Sequence, residues 1–164
     1  MIEIVIKEFH RRIIEEGYTR IEMCMNQLDA EDIWYTPNEN SNSMGNLVMH
    51  LNGNVRQYIV SGIGGVRDIR QRDSEFDKTY KKPISDILKD LKTTVEESYR
   101  VITGLEENVL TEKRTVQGFD ETVLSIIIHV IEHFSYHVGQ ITYFTKARKN
   151  LDTGYYAGLD LNIT

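Results

Sequence analysis

The stretch HVIEHFSYHVGQ carries three of the chain's five histidines, at positions 129, 133 and 137. Side chains four residues apart on an α-helix lie one above the other, so two such imidazoles can bind the same ion. Neutral imidazole nitrogen is a common zinc ligand and also suits nickel. The spacing therefore predicts a metal site, provided that another element supplies a further ligand.

The positions of these histidines on a helical wheel separate them. At 100° per residue, the apolar residues of the segment form one broad arc, and His137 falls at its edge. His133 lies about 40° further round, and His129 lies about 40° beyond that. We predict that His133 and His137 point into the protein, and that His129 forms an outer contact or lies at the surface.

His50 is the candidate for the third ligand. It lies in NLVMHLNGN, beside the apolar face of a second predicted helix, and Asn54 and Gln57 continue a polar stripe at the margin of that face. Buried polar groups on two helices are costly unless they find partners. One divalent cation bound by His50, His133 and His137 would satisfy both stripes and leave one coordination position open, as in catalytic zinc sites.

Other residues near these histidines have less direct assignments. Asn54, Arg56 and Gln57 are predicted contacts to a cofactor or substrate beside the metal. His10 lies beside apolar residues of the first helix, and we interpret it as structural.

HVIEH also matches the H-x-x-E-H signature of inverted zinc peptidases, in which Glu132 would be the general base. Those peptidases are much larger proteins, so the signature carries little weight here.

Four segments with a helical period of apolar residues must position these side chains. They cover approximately residues 2–28, 43–61, 83–105 and 120–149. Pro83 suits the start of the third helix, and Asp120 is the predicted N-cap of the fourth. The long connection between the second and third helices has room for a helical turn, whereas RTVQGFD has room for one short extended piece at most. This pattern predicts an all-α protein, a four-helix bundle.

Composition narrows the class of protein. The chain has 25 acidic and 19 basic residues and a net charge of −6, which disfavours nucleic acid as a partner. The cluster DIRQRD carries its own aspartates and is predicted to be solvated. Cys24 is the only cysteine and lies at an apolar helix position, so we predict a structural thiol and a cytoplasmic protein. The segment MIEIVIKEFHRRIIEE mixes acidic with apolar residues, so we predict neither a signal peptide nor a membrane span.

The motif HFSYHVGQI resembles the H-x-x-x-H-x-G-Q ending of the DinB-like superfamily, which includes the bacillithiol S-transferases and the mycothiol-dependent maleylpyruvate isomerases. GNLVMHLNGNVRQYIVSGIGG followed by RDSEF is similar to an uncharacterised bacterial branch of that superfamily. The resemblance implies one DinB-like metal-binding domain over residues 1–164, a homodimer, and His50, His133 and His137 as metal ligands. Family members commonly have arginine immediately after the last of these histidines, where this chain has Val138.

The resemblance also implies a reaction. A divalent metal, zinc or nickel, would activate a low-molecular-weight thiol that attacks a small-molecule electrophile, because a coordinated thiol loses its proton more readily. Two other functions stay open on the same residues. One is a metal-dependent hydrolase, with water in place of the thiol. The other is a non-catalytic metal- or ligand-binding bundle that acts in a stress response.

Overall fold

The computed structural model describes residues 1–163, and Thr164, the last residue of the predicted domain, lies outside the described residues. The first long helix covers residues 2–25 in three consecutive pieces. These are α1 (Ile2–Phe9), a π-helix (His10–Tyr18) and α2 (Thr19–Met25). The short helix α3 (Ala30–Ile33) follows. The apolar period of the first helix holds, because Phe9, Ile13 and Ile21 are completely buried.

The second long helix begins where the sequence predicted. Ser43 is its N-cap, and the Ser43 hydroxyl accepts a hydrogen bond from the backbone amide of Asn46 at 3.2 Å. The helix consists of α4 (Met44–Val55) and a π-helix (Arg56–Ser61). The long connection that follows carries one 3₁₀-helix, Arg72–Phe76, which packs against α4. The predicted helical turn in this connection is therefore confirmed.

A β-hairpin precedes the last helix, where the sequence predicted one extended piece at most. The third long helix, α5 (Ile84–Thr103), has Pro83 as its N-cap, and a 3₁₀-helix (Glu107–Thr111) follows it. Strand β1 (Lys113–Val116) pairs antiparallel with β2 (Phe119–Thr122). The fourth long helix is α6 (Val123–Lys149). Residues 120–122, which were predicted to begin the fourth helix, thus belong to strand β2.

The prediction that Asp120 caps the fourth helix is wrong. Asp120 lies in β2, where its carboxylate accepts a hydrogen bond from the hydroxyl of Thr115 at 2.5 Å. The chain reverses in two residues, Gln117 and Gly118, which both have positive φ (53° and 82°), as a tight hairpin turn requires. Thr122 is the actual N-cap, since its hydroxyl oxygen accepts from the amide of Ser125 at 3.1 Å.

The four long helices form the predicted all-α bundle around one apolar core. Fully buried core residues come from each of the four, among them Ile13, Leu51, Val95 and Phe134. Helices α4 and α6, which carry the candidate ligands, pack directly against each other. Among the helices of residues 1–163, none is both long and apolar enough to cross a lipid bilayer.

Candidate metal centre

Three imidazole rings from two helices meet at one point of the bundle. His50 belongs to α4, and His133 and His137 belong to α6. The Nε2 atom of His133 lies 3.1 Å from Nε2 of His50 and 3.2 Å from Nε2 of His137. His50 and His137 are buried, and His133 is partly exposed. The packing of α4 on α6 therefore brings together the three residues that the sequence singled out.

Outer hydrogen bonds determine the direction of two of these rings. Nδ1 of His50 lies 2.9 Å from the carboxylate oxygen Oε2 of Glu75, and Nδ1 of His137 lies 2.7 Å from the amide oxygen Oε1 of Gln140. In this arrangement both oxygens are acceptors, so the proton of each ring is assigned to Nδ1, which presents the lone pair of Nε2 to the centre. A single proton on Nε2 of His133 would satisfy only one of its two neighbours, whereas a cation would satisfy all three nitrogens.

The spacing of two of the three nitrogen pairs fits a tetrahedral metal ion. At Zn–N distances of about 2.0–2.1 Å, two nitrogens of a tetrahedral site lie about 3.3 Å apart. The two short nitrogen pairs here measure 3.1 and 3.2 Å, and ligand atoms of all three histidines lie within 4.8 Å of one another. The cluster can therefore bind a divalent metal ion. Three protein ligands leave a fourth tetrahedral position to a ligand from solution.

Burial keeps two of the candidate ligands, His133 and His137, neutral. Burial, followed by the neighbouring rings of His137 and His50, lowers the pKa of His133 to about 3. Burial also lowers the pKa of His137, although its hydrogen bond to Gln140 acts in the opposite direction. Neutral imidazole is the form that binds a metal, so no proton has to leave the rings of His133 and His137 for binding at neutral pH.

The carboxylate behind His50 belongs to a buried ion pair that the sequence analysis missed. Arg70 donates from Nε to Oε1 of Glu75 at 2.6 Å and from Nη2 to Oε2 at 2.8 Å, and the two side chains are 5% and 8% exposed. Burial raises the pKa of Glu75, but the hydrogen bonds from Arg70 and His50 outweigh burial and the net pKa is lowered. The prediction that DIRQRD is solvated is wrong for Arg70.

The three predicted cofactor contacts lie in different surroundings. Gln57 accepts a hydrogen bond from Nη1 of Arg70 at 2.7 Å, so it belongs to the outer part of the network around His50. Arg56 forms an ion pair with Glu97 of α5 at 2.8 Å. Asn54 is buried, and within residues 1–163 its Oδ1 has no hydrogen-bond partner. Of these three residues, only Gln57 is linked to the cluster by hydrogen bonds within residues 1–163, through Arg70 and Glu75.

A groove of about 420 Å³ lies beside His129, with Tyr58, Phe119 and Glu132 also in its lining. The ring of His129 stacks on the ring of His133, with centroids 5.7 Å apart, and lies 4.6 Å from the ring of Tyr58. His129 is exposed, as the helical wheel predicted. Glu132 lines the groove and is not a member of the cluster, so the H-x-x-E-H arrangement of a peptidase is not formed.

The remaining histidine and the cysteine have contacts of a structural kind. The ring of His10 packs against the ring of Tyr99 from α5, with centroids 4.8 Å apart. Cys24 is buried, and its sulfur lies 3.0 Å from the hydroxyl of Tyr155. These contacts agree with the structural interpretation of both residues.

Two solved structures are similar to this chain over nearly its whole length. A DinB-like protein from Bacillus subtilis is 16% identical and superposes with a TM-score of 0.65, over 90% of this chain and 94% of that chain. A conserved protein from Enterococcus faecalis is 13% identical with a TM-score of 0.68, over 91% of this chain and 97% of that chain. At these identities the similarities show the fold, which is DinB-like.

No curated protein shows significant sequence similarity to the chain. A family model described as "Protein of unknown function (DUF1572)" matches residues 5–156, which is most of the chain. The helical bundle, its DinB-like fold and this match agree, and the chain belongs to the DUF1572 family.

Proposed function

We propose that this chain is a divalent-metal-dependent enzyme that transfers a low-molecular-weight thiol to a small electrophile. The observation that carries the proposal is the convergence of Nε2 atoms from His50, His133 and His137. When bound there, a divalent ion supplies positive charge that lowers the pKa of a thiol at the fourth position. Zinc and nickel both suit three imidazole ligands.

The protein's own groups have separate roles in this proposal. Glu75 and Gln140 hold the rings of His50 and His137 by accepting hydrogen bonds from Nδ1–H of these histidines. The groove lined by Tyr58 and His129 binds the electrophile in this proposal, because the ring of His129 stacks on the partly exposed ring of His133.

The three predicted cofactor contacts also keep roles in the proposal. The buried Oδ1 of Asn54 is free among the described residues to accept a hydrogen bond from the thiol cofactor. Gln57 supports Arg70. Arg56 would reach a cofactor only after leaving Glu97, with which it is paired here.

Metal analysis of the purified chain tests the site itself. We expect about one equivalent of zinc or nickel in the parent chain and less than about a tenth of that in His133→Ala, because two imidazoles alone do not make a structural or catalytic zinc site. His10→Ala is the matched control, since His10 packs against Tyr99. Full metal retention by His133→Ala would contradict the proposed ligand set.

An activity assay with a small thiol and monochlorobimane tests the chemistry. We expect metal-dependent conjugation, in which sulfur forms a C–S bond, chloride leaves with the bonding electrons, and the thiol proton passes to solvent. Turnover of an activated ester without thiol would instead favour a metal-dependent hydrolase. If neither reaction occurs while the metal is bound, the chain is a metal- or ligand-binding bundle.

We further propose that this single domain forms a homodimer in the cytoplasm, as the resemblance and the lone cysteine imply. Sedimentation of the purified chain, with and without zinc, measures the oligomeric state. A monomer at micromolar concentration under both conditions would contradict the dimer and leave the metal site unaffected.

A further inference from the structure

The 3₁₀-helix Arg72–Phe76 docks on α4 beside His50 through several contacts. The side-chain amide of Asn46 donates to the backbone oxygen of Glu75 at 2.9 Å. The ring of Phe76 packs against the ring of His50, with centroids 4.9 Å apart. Gly53 leaves the space for the Glu75 carboxylate, because a Cβ at that position would lie 1.9 Å from Oε1. These contacts hold the 3₁₀-helix, a segment without a helical period of apolar residues, against the candidate ligand His50.

Both oxygens of the Glu75 carboxylate are occupied in this position. Oε1 accepts from Nε of Arg70, and Oε2 accepts from Nη2 of Arg70 and from Nδ1 of His50. Nη2 of Arg70 also lies 3.2 Å from Nδ1 of His50, but its shorter contact, 2.8 Å, is the one to the carboxylate. Glu75 therefore faces Nδ1 of His50. The other two histidines of the cluster lie on the opposite side of this ring, at Nε2.

The ion pair restricts His50 more strongly than Gln140 restricts His137. An ionised carboxylate can only accept, so it requires the proton of His50 on Nδ1. The Gln140 amide is exposed and can turn its NH₂ group toward the ring, so it tolerates either tautomer of His137. Arg70 also balances the charge of Glu75, which lets a carboxylate remain ionised in a buried position.

We propose that Glu75 and Arg70 are positioning residues for the metal ligand His50, holding its proton on Nδ1 so that the Nε2 lone pair points at the metal. This inference rests on the proposed function, because it assigns the ion pair to the metal site described above. Neither residue is a metal ligand. Outer-shell carboxylates that hold a ligating histidine in this way contribute about 10- to 100-fold to metal affinity in other proteins.

Zinc affinity of Glu75→Gln, measured on the full chain by competition with a chromophoric chelator, is the first test. Glutamine keeps the shape but loses the charge, and it can turn its NH₂ group toward Nδ1. We expect the dissociation constant for zinc to rise about 10- to 100-fold. Glu97→Gln is the matched control: it removes the partner of Arg56 in an ion pair of 2.8 Å whose side chains are 37% and 30% exposed, and zinc binding should change less than about twofold.

The tautomer of His50 in the metal-free chain is the second test, read from imidazole ¹H–¹⁵N NMR spectra. The parent should carry its proton on Nδ1, and Glu75→Gln should show a mixture or the Nε2–H form. A carboxylate with a purely structural role would not change this signature. If Glu75→Gln fails to fold because Arg70 is left unpaired, the double variant Arg70→Met, Glu75→Gln removes both charges, and both measurements are made on it.

The possible failures can be told apart. Zinc affinity within twofold of the parent and an unchanged His50 tautomer in the folded Glu75 variant would overturn the positioning role alone. A parent chain that binds no zinc or nickel would overturn the proposed function and the positioning role together.

Discussion

Glu75 and Asp32 are both buried carboxylates with two basic neighbours, but their surroundings differ. Asp32 lies in α3 and forms ion pairs with Arg148 and Lys149 at the end of α6. The cationic side chains of that cluster are 37% and 31% exposed. Hydrogen bonds from Lys149 and then Arg148 lower the pKa of Asp32 to about 2, although burial opposes this shift. Glu75 instead pairs with a buried arginine and with the ring of His50.

Burial and ion pairing alone therefore do not distinguish these two carboxylates. The Asp32 cluster ties α3 to the end of α6, and its cations also lie where a helix dipole favours positive charge. The interactions of Asp32 end at Arg148 and Lys149, whose side chains are partly exposed to solvent. The interactions of Glu75 continue through His50, whose second nitrogen faces two further imidazoles. What a buried carboxylate can do therefore depends on the other contacts of the side chain to which it is hydrogen-bonded.

Gly53→Ala should give the largest effect on the Glu75 side of the comparison. Alanine in a helix is normally better than glycine by about 1 kcal/mol, but the new Cβ would lie 1.9 Å from Oε1 of Glu75. Displacing the carboxylate breaks a buried ion pair, so we expect a net loss of about 1–3 kcal/mol in unfolding free energy. Zinc affinity should fall at least about tenfold.

Gly139→Ala in α6 is the control for Gly53→Ala, measured in the same denaturant titrations. Among residues 1–163, no heavy atom outside the neighbouring helix backbone lies within 4 Å of a Cβ at position 139. Alanine there should raise the unfolding free energy by about 0.5–1 kcal/mol. A stabilised Gly53→Ala with normal zinc affinity would show that Glu75 can move away at no cost.

Asp32→Asn should affect stability and leave metal binding unchanged. The substitution removes two ion pairs, but the released cations can reach water, so we expect a loss of about 1–3 kcal/mol. For a chain of this size that is roughly 2–4 °C in melting temperature per kcal/mol. Zinc affinity should stay within about twofold of the parent. A loss of zinc affinity comparable to that of Glu75→Gln would remove the distinction between the two carboxylates.

The stability that Asp32 contributes should disappear in acid. Its pKa is about 2 in the folded chain and about 3.9 when unfolded. Between these values the unfolded state binds more protons, so the contribution is fully present above about pH 4 and is lost as the pH falls toward 2. Melting temperatures of the metal-free parent and Asp32→Asn should therefore converge between pH 5 and pH 2. A constant difference across that range would contradict the assigned role of the charge.

Gln140→Ala should give the smallest effect. Gln140 holds the ring of His137, but it is exposed, and water can replace its amide oxygen as acceptor. We expect zinc affinity to fall only about two- to fivefold, against the larger loss for Glu75→Gln. Chelator competition under identical conditions measures both variants. An equal loss for the two would mean that burial and charge add nothing to the outer hydrogen bond.

The helical segments and the histidine cluster were predictable because local patterns encode them. The apolar period determines which side of each helix faces the core, and His50, His133 and His137 lie on or beside those sides. The hairpin before α6 was missed because it depends on positive φ at Gln117 and Gly118 and on pairing between strands. Neither property produces a helical or an alternating pattern over so few residues.

The amino-acid sequence by itself determined an all-α bundle, the four long helices and the three histidines that share its interior. Only the tertiary structure decided what lies behind His50. Glu75 and Arg70 follow it by 25 and 20 residues in a connection without a period, and RDSEF offered a resemblance but no chemical reason to choose Glu75. A charge in such a segment is normally solvated, and here it is buried because Gly53 and Asn46 let the segment pack against α4. The contacts of Glu75 with Gly53 and Asn46 depend on how the folded chain packs, and the spacing of residues in the sequence does not predict them.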